Sequence, residues 1–280
     1  MTPLHYALLA FVTLIFGGSA PIIRFAVAPA MAIVVWRAAL AWPILAVIAL
    51  IRREKWPGFR AAAAGAALAL HWSLWIVAVQ KTTIGSASLL VCTGALWAAI
   101  LSQPLLKEKI SRRQWFGLLI ALVGVAAVLT AKGGGANHSF IGDLYALGGA
   151  FAWVAYAFIG RKARQNAGFW SYTAALYATT NIVTLICALG LQIPLSGYST
   201  QSWWAIITIA ILPTLLGHGT VNYLLRFIGP AKLSLSQLMV PVLAAILAML
   251  LFNEIPSVQA VAGGALTLVG VAVGIWPTRN

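Results

Sequence analysis

The longest stretch without a charged side chain most constrains the fold of this chain. No Asp, Glu, Lys or Arg occurs between Gln165 and Leu225. The stretch is mostly apolar and far exceeds the roughly 20 residues that one helix needs to cross the hydrocarbon core of a membrane. A turn-forming segment from Pro194 to Gln201 divides it. The stretch therefore predicts two consecutive membrane-spanning helices.

The rest of the chain continues this pattern. Hydrophobic residues make up 62% of the 280 residues and charged residues only 8%, whereas about 25% of the residues of a soluble domain are charged. We predict an all-α polytopic membrane protein with ten transmembrane helices. The predicted spans are Leu4–Pro21, Pro29–Ile51, Ala61–Gln80, Gly85–Leu106, Gln114–Ala131, Gly142–Gly160, Phe169–Leu191, Ser202–Leu225, Pro230–Phe252 and Ser257–Trp276.

The basic residues predict the orientation of these spans. The net charge of +14 would suit a nucleic-acid partner if it formed one stripe, but the Lys and Arg residues lie in short clusters between apolar runs. Assigned to alternate loops, fourteen fall on one side, and only Arg24, Lys81 and Lys132 fall on the other. Because cytoplasmic loops carry the excess of Lys and Arg, we expect both termini in the cytoplasm and a location in the inner (cytoplasmic) membrane, with no nucleic-acid partner.

A pattern of one Glu followed by two glycines occurs twice at the same spacings, as Glu108, Gly117, Gly124 and as Glu254, Gly263, Gly270. The copies lie about half a chain length apart, which predicts two homologous halves. With five helices each, the halves must be inverted, and we place them at residues 1–132 and 140–280 with a linker at 133–139. Inverted halves are typical of alternating-access carriers.

This topology places Glu108 and Glu254 at opposite membrane faces, so they cannot act together on one substrate. We interpret each as the end of one span that stabilises the N-terminus of the next helix. The glycines that follow would let that next helix pack closely against its own half. A small-xxx-small match at Gly117–Ala121 and a GxxxG at Gly270–Gly274 favour close packing within one chain over a dimer contact.

Residues for catalysis or metal binding are scarce. The chain has four acidic residues, all at or beyond predicted helix ends, which disfavours coupling through an intramembrane carboxylate. Hydrolase, zinc and phosphate-binding motifs are absent from the sequence, and one Asp cannot supply a magnesium cage. We therefore expect no enzyme activity, no metal and no cofactor.

Arg37 is the one fixed charge predicted deep inside a span. Burying it is costly unless it is paired or faces water, and two interpretations remain open. It could be structural, bound to backbone carbonyls or to a cavity open to the cytoplasm, or it could meet the carboxylate of a substrate. Similarly, His71 and His218 are the histidines inside spans, and each could titrate near neutral pH or serve as a hydrogen-bonded residue between helices.

Aromatic and amide residues near the middle of several spans suggest a cavity lining. His71 and Trp75 share one helix face at i,i+4 spacing. Taken singly, such residues often mark membrane interfaces or join helices. Taken together, they form a candidate substrate site, and the predicted members are His71, Trp75, Trp97, Trp153, Tyr156, His218, Asn222 and Gln237.

The inverted five-helix halves, the stretch Trp97–Ser102 and the two Glu-Gly-Gly patterns resemble the drug/metabolite transporter superfamily, in its EamA-type branch. Within that branch the chain is most similar to the bacterial YddG-type exporters, whose substrates are aromatic and other amino acids. The resemblance implies a basket-like bundle. Its third, fourth, eighth and ninth helices, with the first and sixth, would enclose a central cavity.

We therefore expect a secondary exporter of small amphipathic metabolites, foremost amino acids, that acts as a monomer or weak dimer in the lipid bilayer. Trp75, Trp97, Trp153 and Tyr156 would present ring faces to the substrate. The polar groups of Asn222, Gln237 and His71 would orient it. Two alternatives are an exporter of lipophilic cations or drugs and a membrane scaffold subunit that transports nothing.

Overall fold

The computed structural model of the chain describes residues 1–82, 84–130, 139–243, 246 and 257–275. Every regular element in this part is helical, and no strand occurs in it. The α-helices are α1 (Pro3–Gly17), α2 (Ser19–Phe25), α3 (Ala30–Ile51), α4 (Phe59–Lys81), α5 (Ile84–Cys92), α6 (Gly94–Leu106), α7 (Arg112–Thr130), α8 (Phe140–Arg164), α9 (Phe169–Gly190), α10 (Thr200–Ile209), α11 (Gly219–Leu224), α12 (Pro230–Gln237) and α13 (Val258–Ile275). A π-helical segment, Ala210–His218, joins α10 to α11.

Seven helical stretches in the described residues are long and apolar enough to cross a membrane. Large apolar side chains such as Leu50, Ile186 and Trp204 point outward and are exposed, a surface that suits lipid rather than water. The prediction of an all-helical polytopic membrane protein is confirmed. The seven stretches are Pro3–Phe25, Ala30–Ile51, Phe59–Lys81, Ala87–Leu106, Phe140–Arg164, Phe169–Gly190 and Thr200–Leu224.

The other three predicted spans are described only in part or differ in character. The fifth coincides with α7, which has 19 residues and begins with Arg112 and Arg113. The tenth coincides with α13, Val258–Ile275, which has 18 residues. Most of the second half of the ninth span lies outside the described residues, as do Trp276, Lys132, residues 133–138 of the predicted linker, Arg279 and the motif Phe252–Glu254.

Helices from the first part of the chain pack against helices from the second part. Helix α4 packs along α8, α3 along α9, α7 along α13 and α6 along α12, while α1 packs against the π-helical segment. Each of these contacts joins an element before residue 131 to one after residue 139. The interior is therefore built between the two parts of the chain rather than inside either one.

Helices α7 and α13 meet through the repeated glycines. A Cβ atom added to Gly117 would lie 2.6 Å from the Gly270 carbonyl oxygen, and one added to Gly124 would lie 2.6 Å from that of Gly263. The two backbones thus touch where the glycines face each other. The predicted packing within one chain occurs, but the expectation that each helix packs against its own half is wrong. The glycines of each copy pack against those of the other.

The role predicted for Glu108 also needs correction. Its carboxylate does not serve the following helix α7. Oε1 accepts a hydrogen bond of 3.0 Å from Nε of Arg161 on α8, and Oε2 lies against Gly229 at the start of α12. Glu54 similarly accepts a bond of 2.9 Å from the backbone N–H of Ser171 near the start of α9. Negative charge is favourable at helix N-termini, but the helices concerned are distant in sequence.

The glycine contact predicts a position-dependent effect of one methyl group on stability. In Gly270→Ala the Cβ would meet the Gly117 carbonyl, so we expect the free energy of unfolding to fall by about 1–3 kcal/mol. In the control Gly264→Ala, on the same helix, the Cβ would meet a Val242 methyl at 3.4 Å. The better helix propensity of Ala should then leave stability unchanged or slightly higher. Thermal unfolding of purified protein in detergent measures both, and equal shifts would contradict the packing argument.

Candidate functional site

One cavity lies where the helices before and after the middle of the chain converge. Its volume is about 110 Å³. Its walls come from the first, third, fourth, sixth, eighth and ninth predicted spans, which are those that the family resemblance implies. Arg37 on α3, the second predicted span, also lines it. The lining side chains are Phe16, Ser19, Ile23, Arg37, His71, Trp72, Trp75, Ser88, Val91, Cys92, Ala95, Trp153, Pro213, His218, Ser234, Gln237, Leu238, Val240 and Pro241.

The π-helical segment shapes one wall. Pro213 lies inside it and has no backbone N–H to continue an α-helical ladder. Thr214 donates its hydroxyl to the Ile209 carbonyl, five residues earlier, at 2.8 Å. Such π-helical turns are rare and occur frequently at functional sites. This local break fixes where Thr214 and His218 lie.

Arg37 is 2% exposed and is held from two sides. Its guanidinium carbon lies 3.8 Å from the centre of the Trp72 ring, and its Nε donates to the Thr214 hydroxyl at 2.8 Å. Tyr177 fixes Thr214 in turn by donating to its carbonyl at 2.8 Å. No described residue hydrogen-bonds the terminal nitrogens of Arg37, which therefore remain available to a ligand in the cavity.

His71 and His218 lie next to each other in the cavity wall, with ring centres 6.2 Å apart. His71 Nδ1 is 2.8 Å from the Gly149 carbonyl, which can only accept, so we assign the proton to Nδ1. Trp72 Nε1 donates to His218 Nε2 at 2.9 Å. The proton of a neutral His218 is therefore on Nδ1, and that buried nitrogen has no partner among the described residues.

Trp75, Trp153 and Gln237 also line the cavity. Trp153 is fixed because its Nε1 donates to the Ser234 hydroxyl at 3.0 Å. Gln237 is held more loosely by Ser236 at 3.2 Å, and its Oε1 is a buried acceptor without a partner in the described part of the chain. The cavity lining thus combines aromatic rings with polar side chains, and two buried atoms of these side chains, His218 Nδ1 and Gln237 Oε1, have no partner in the described part of the chain.

Trp97, Tyr156 and Asn222 are not among the lining residues. Tyr156 and Asn222 are fully buried, and the Tyr156 hydroxyl donates to the Asn222 side-chain oxygen at 2.5 Å. Tyr156 packs behind the wall, with its ring centre 5.4 Å from that of Trp153. Trp97 packs on Phe151 at 4.9 Å. These three side chains support the wall instead of facing the cavity.

Sequence reasoning missed two side chains that organise the site, Trp72 and Thr214. Trp72 precedes Trp75 by three positions, and that spacing puts both on one helix face, so it could have been chosen. Thr214 carries no such signal, because its position depends on the π-helical turn. The hydroxyl of a single Thr in an apolar helix most often bonds its own backbone.

The described carboxylates lie outside the lining of the cavity. None of the described acidic residues, Glu54, Glu108 and Asp143, lines it, and the described residues contain no cluster of His, Cys, Asp or Glu that could hold a metal ion. Arg37 is accordingly the one residue of fixed charge among the lining side chains. The electrostatic potential of the cavity favours an anionic group.

A helical membrane protein with an internal cavity of this kind has the build of a small-molecule transporter. The sequence profile of the EamA-like transporter family matches this chain twice, at residues 4–130 and 140–276. The chain belongs to this family.

Individual relatives agree with this assignment. The "Uncharacterized transporter YdfC" of Bacillus subtilis is 30% identical over 72% of this chain and 66% of its own length. The "Probable amino-acid metabolite efflux pump" of Salmonella typhimurium is 24% identical over 70% of this chain and 68% of its own length. One solved crystal structure superposes with a TM-score of 0.81 over 98% of this chain and 96% of that one, at 19% identity, and shows the same fold.

The buried Tyr156–Asn222 bond predicts a stability effect that is separable from binding. Tyr156→Phe leaves the Asn222 oxygen buried without its donor, so we expect the free energy of unfolding to fall by about 1–3 kcal/mol. The control is Tyr172→Phe, because Tyr172 is equally buried and its hydroxyl has no partner. Thermal unfolding should shift for the first variant and hardly for the second. The same shift in both would mean that the hydrogen bond contributes nothing.

Proposed function

We propose that the chain is a secondary exporter of small amphipathic metabolites, foremost amino acids with aromatic or apolar side chains, and that it works by alternating access around the cavity. The observation that carries the proposal is Arg37, a buried cation that faces an aromatic cavity with no carboxylate opposite it among the described residues. Membership of a transporter family and the amino-acid efflux named for one relative support it.

The proposal includes ten spans in two inverted five-helix repeats, residues 1–132 and 140–280 with a linker at 133–139. The double match of the family profile and the interleaved helix pairs support this arrangement. The excess of basic residues in alternate loops supports cytoplasmic termini in the inner membrane. Rocking of one half against the other would expose the cavity to each side in turn.

Arg37 would bind the substrate carboxylate. A desolvated guanidinium is costly without a counter-charge, and the ring of Trp72 compensates it only in part. The terminal nitrogens can pair with a carboxylate through two parallel hydrogen bonds. The same cation repels a positively charged ligand, so it weighs against export of lipophilic cations. A scaffold subunit would have no use for the unpartnered polar atoms of the cavity.

The remaining cavity groups suit the rest of an amino acid. The free Oε1 of Gln237 can accept from a substrate ammonium group, and Trp75 and Trp153 offer ring faces to an apolar or aromatic side chain. Tyr156, Asn222 and Trp97 would act indirectly, by fixing the wall. A bound zwitterion would thus find a partner for each of its charged ends.

None of the described acidic residues lines the cavity, which favours exchange over proton antiport. Without a counter-ion for Arg37 among the described residues, the empty cavity keeps an unpaired cation, whereas a bound carboxylate would neutralise it. We therefore expect labelled L-phenylalanine flux in sealed proteoliposomes to rise when unlabelled L-phenylalanine is present on the opposite side. A pH gradient should change the rate little. A rate that follows the imposed gradient would contradict uncoupled exchange.

Replacement of Arg37 tests the carboxylate assignment. Arg37→Gln keeps a donor for Thr214 and removes the charge, so we expect the affinity for L-phenylalanine to fall about tenfold or more. Arg24→Gln is the matched control, since Arg24 bonds backbone carbonyls at Val79 and Thr82 and does not line the cavity. Isothermal titration on monodisperse protein measures both. Unchanged affinity in Arg37→Gln would make Arg37 a structural residue.

A further inference from the structure

Trp72 connects two polar residues that line the cavity, Arg37 and His218. One face of its ring lies against the Arg37 guanidinium at 3.8 Å, and its indole N–H bonds His218 Nε2 at 2.9 Å. The ring is 1% exposed and is therefore held by its surroundings. Arg37 and His218 consequently have fixed positions relative to one rigid side chain.

The bond from Trp72 also decides which nitrogen of His218 can donate. An indole N–H is a donor only, so Nε2 must offer its lone pair. The proton of the neutral ring is then on Nδ1. His218 is 5% exposed and lines the cavity, and Nδ1 has no partner in the described part of the chain. A buried donor without a partner is uncommon in native structures and needs an explanation, of which a bound ligand is one.

The neighbouring rings do not satisfy this donor. His71 could accept through Nε2, but the two imidazole centres are 6.2 Å apart at an angle of 60°, and no hydrogen bond joins them among the described contacts. Tyr156 lies at 6.1 Å, and its hydroxyl is already engaged with Asn222. Phe16, at 4.9 Å, has no acceptor atom. Among the described residues, none of these three rings accepts a hydrogen bond from Nδ1.

We infer that His218 Nδ1–H and the Arg37 guanidinium form a two-point oxyanion site, and that Trp72 is the positioning residue that sets both donors. The ligand class is a carboxylic acid in its ionised form, with one oxygen for each donor. The inference rests on the proposed function and deepens it, because it assigns the selection of carboxylates over amides and alcohols to a particular pair of donors. It does not require the ligand to carry an ammonium group.

Three probes separate the parts of this inference: L-phenylalanine, L-phenylalaninamide, which lacks the carboxylate, and 3-phenylpropionate, which lacks the ammonium group. The wild-type protein should bind both carboxylates and should bind the amide about tenfold more weakly or worse. Trp72→Phe keeps an aromatic ring under Arg37 and removes the indole N–H. It should lower the affinity for both carboxylates and leave that for the amide unchanged.

Trp75→Phe is the matched control, because Trp75 lies on the same helix and lines the same cavity, and no described hydrogen bond uses its indole. It should lower the affinity for all three probes alike, through lost ring contact. Equal effects of Trp72→Phe and Trp75→Phe across the three probes, or a wild-type protein that does not distinguish the amide from the acid, would overturn the inference. Isothermal titration gives each affinity.

A spectroscopic measurement tests the positioning role without relying on affinity. Nitrogen NMR of protein labelled at histidine separates the two neutral tautomers, and the His218 signal is identified by its loss in His218→Gln. We expect the Nδ1–H form in the wild-type protein, a shift of that nitrogen on addition of 3-phenylpropionate, and a tautomer mixture in Trp72→Phe. An Nε2–H form, or no shift with either carboxylate, would contradict the inference.

These readouts distinguish the inference from the proposed function. If 3-phenylpropionate shifts the His218 signal but L-phenylalanine neither binds nor crosses the membrane of proteoliposomes, the oxyanion site stands and the amino-acid substrate is wrong. If L-phenylalanine is transported and neither probe series depends on Trp72, the proposed function stands and the two-point site is wrong.

Discussion

The interior of this protein depends on the way it holds one cation away from water. Arg37 lies on α3, its aromatic partner Trp72 on α4 and its hydrogen-bond partner Thr214 on the π-helical segment. A guanidinium in a low-dielectric interior loses much hydration free energy, and neither contact supplies a negative charge. Three elements from both parts of the chain must therefore meet at one point. Their meeting point is also the wall of the cavity.

The π-helical turn makes this meeting possible. In a π-helix the hydrogen bonds join residues five apart, instead of four apart as in an α-helix. The side chains after Pro213 therefore point in different directions from those of a continuous α-helix. Thr214 thereby contacts Arg37 and His218 contacts Trp72. Thr214 and His218 both lie in the same nine-residue π-helical segment. Pro213 lacks the backbone N–H that would continue the α-helical hydrogen bonds. Next to it, the Thr214 hydroxyl donates to the Ile209 carbonyl.

Composition and periodicity could predict the membrane class, most of the helix positions and several cavity residues. His71 and Trp75 follow from i,i+4 spacing on one helix, and Arg37 from the cost of its burial. The residue pattern of a single helix does not determine how that helix is rotated about its axis relative to its neighbour. Tyr156 and Asn222 therefore could not be separated from true lining residues, because their mutual bond exists only after α8 has packed beside α11.

The same limit explains the two errors about the repeat. Close helix packing requires two small-residue surfaces, and Gly117 finds its counterpart at Gly270, far away in sequence. Glu108 likewise finds Arg161 instead of its own following helix. When the two copies of a pattern have complementary surfaces, their contact with each other contributes the most packing energy. The contacts between the halves are therefore the place where such a repeat should be expected to act.

The sign of the cavity charge follows from the distribution of the carboxylates. Those that are described lie near helix ends, where helix N-termini and basic side chains stabilise them, as Glu54 and Glu108 show. None is left to neutralise Arg37 from within the described part of the cavity wall. The neighbouring polar atoms, His218 Nδ1 and Gln237 Oε1, are uncharged and also lack partners. A ligand carboxylate would neutralise Arg37 and accept from His218 Nδ1, and an ammonium group on the same ligand would donate to Gln237 Oε1.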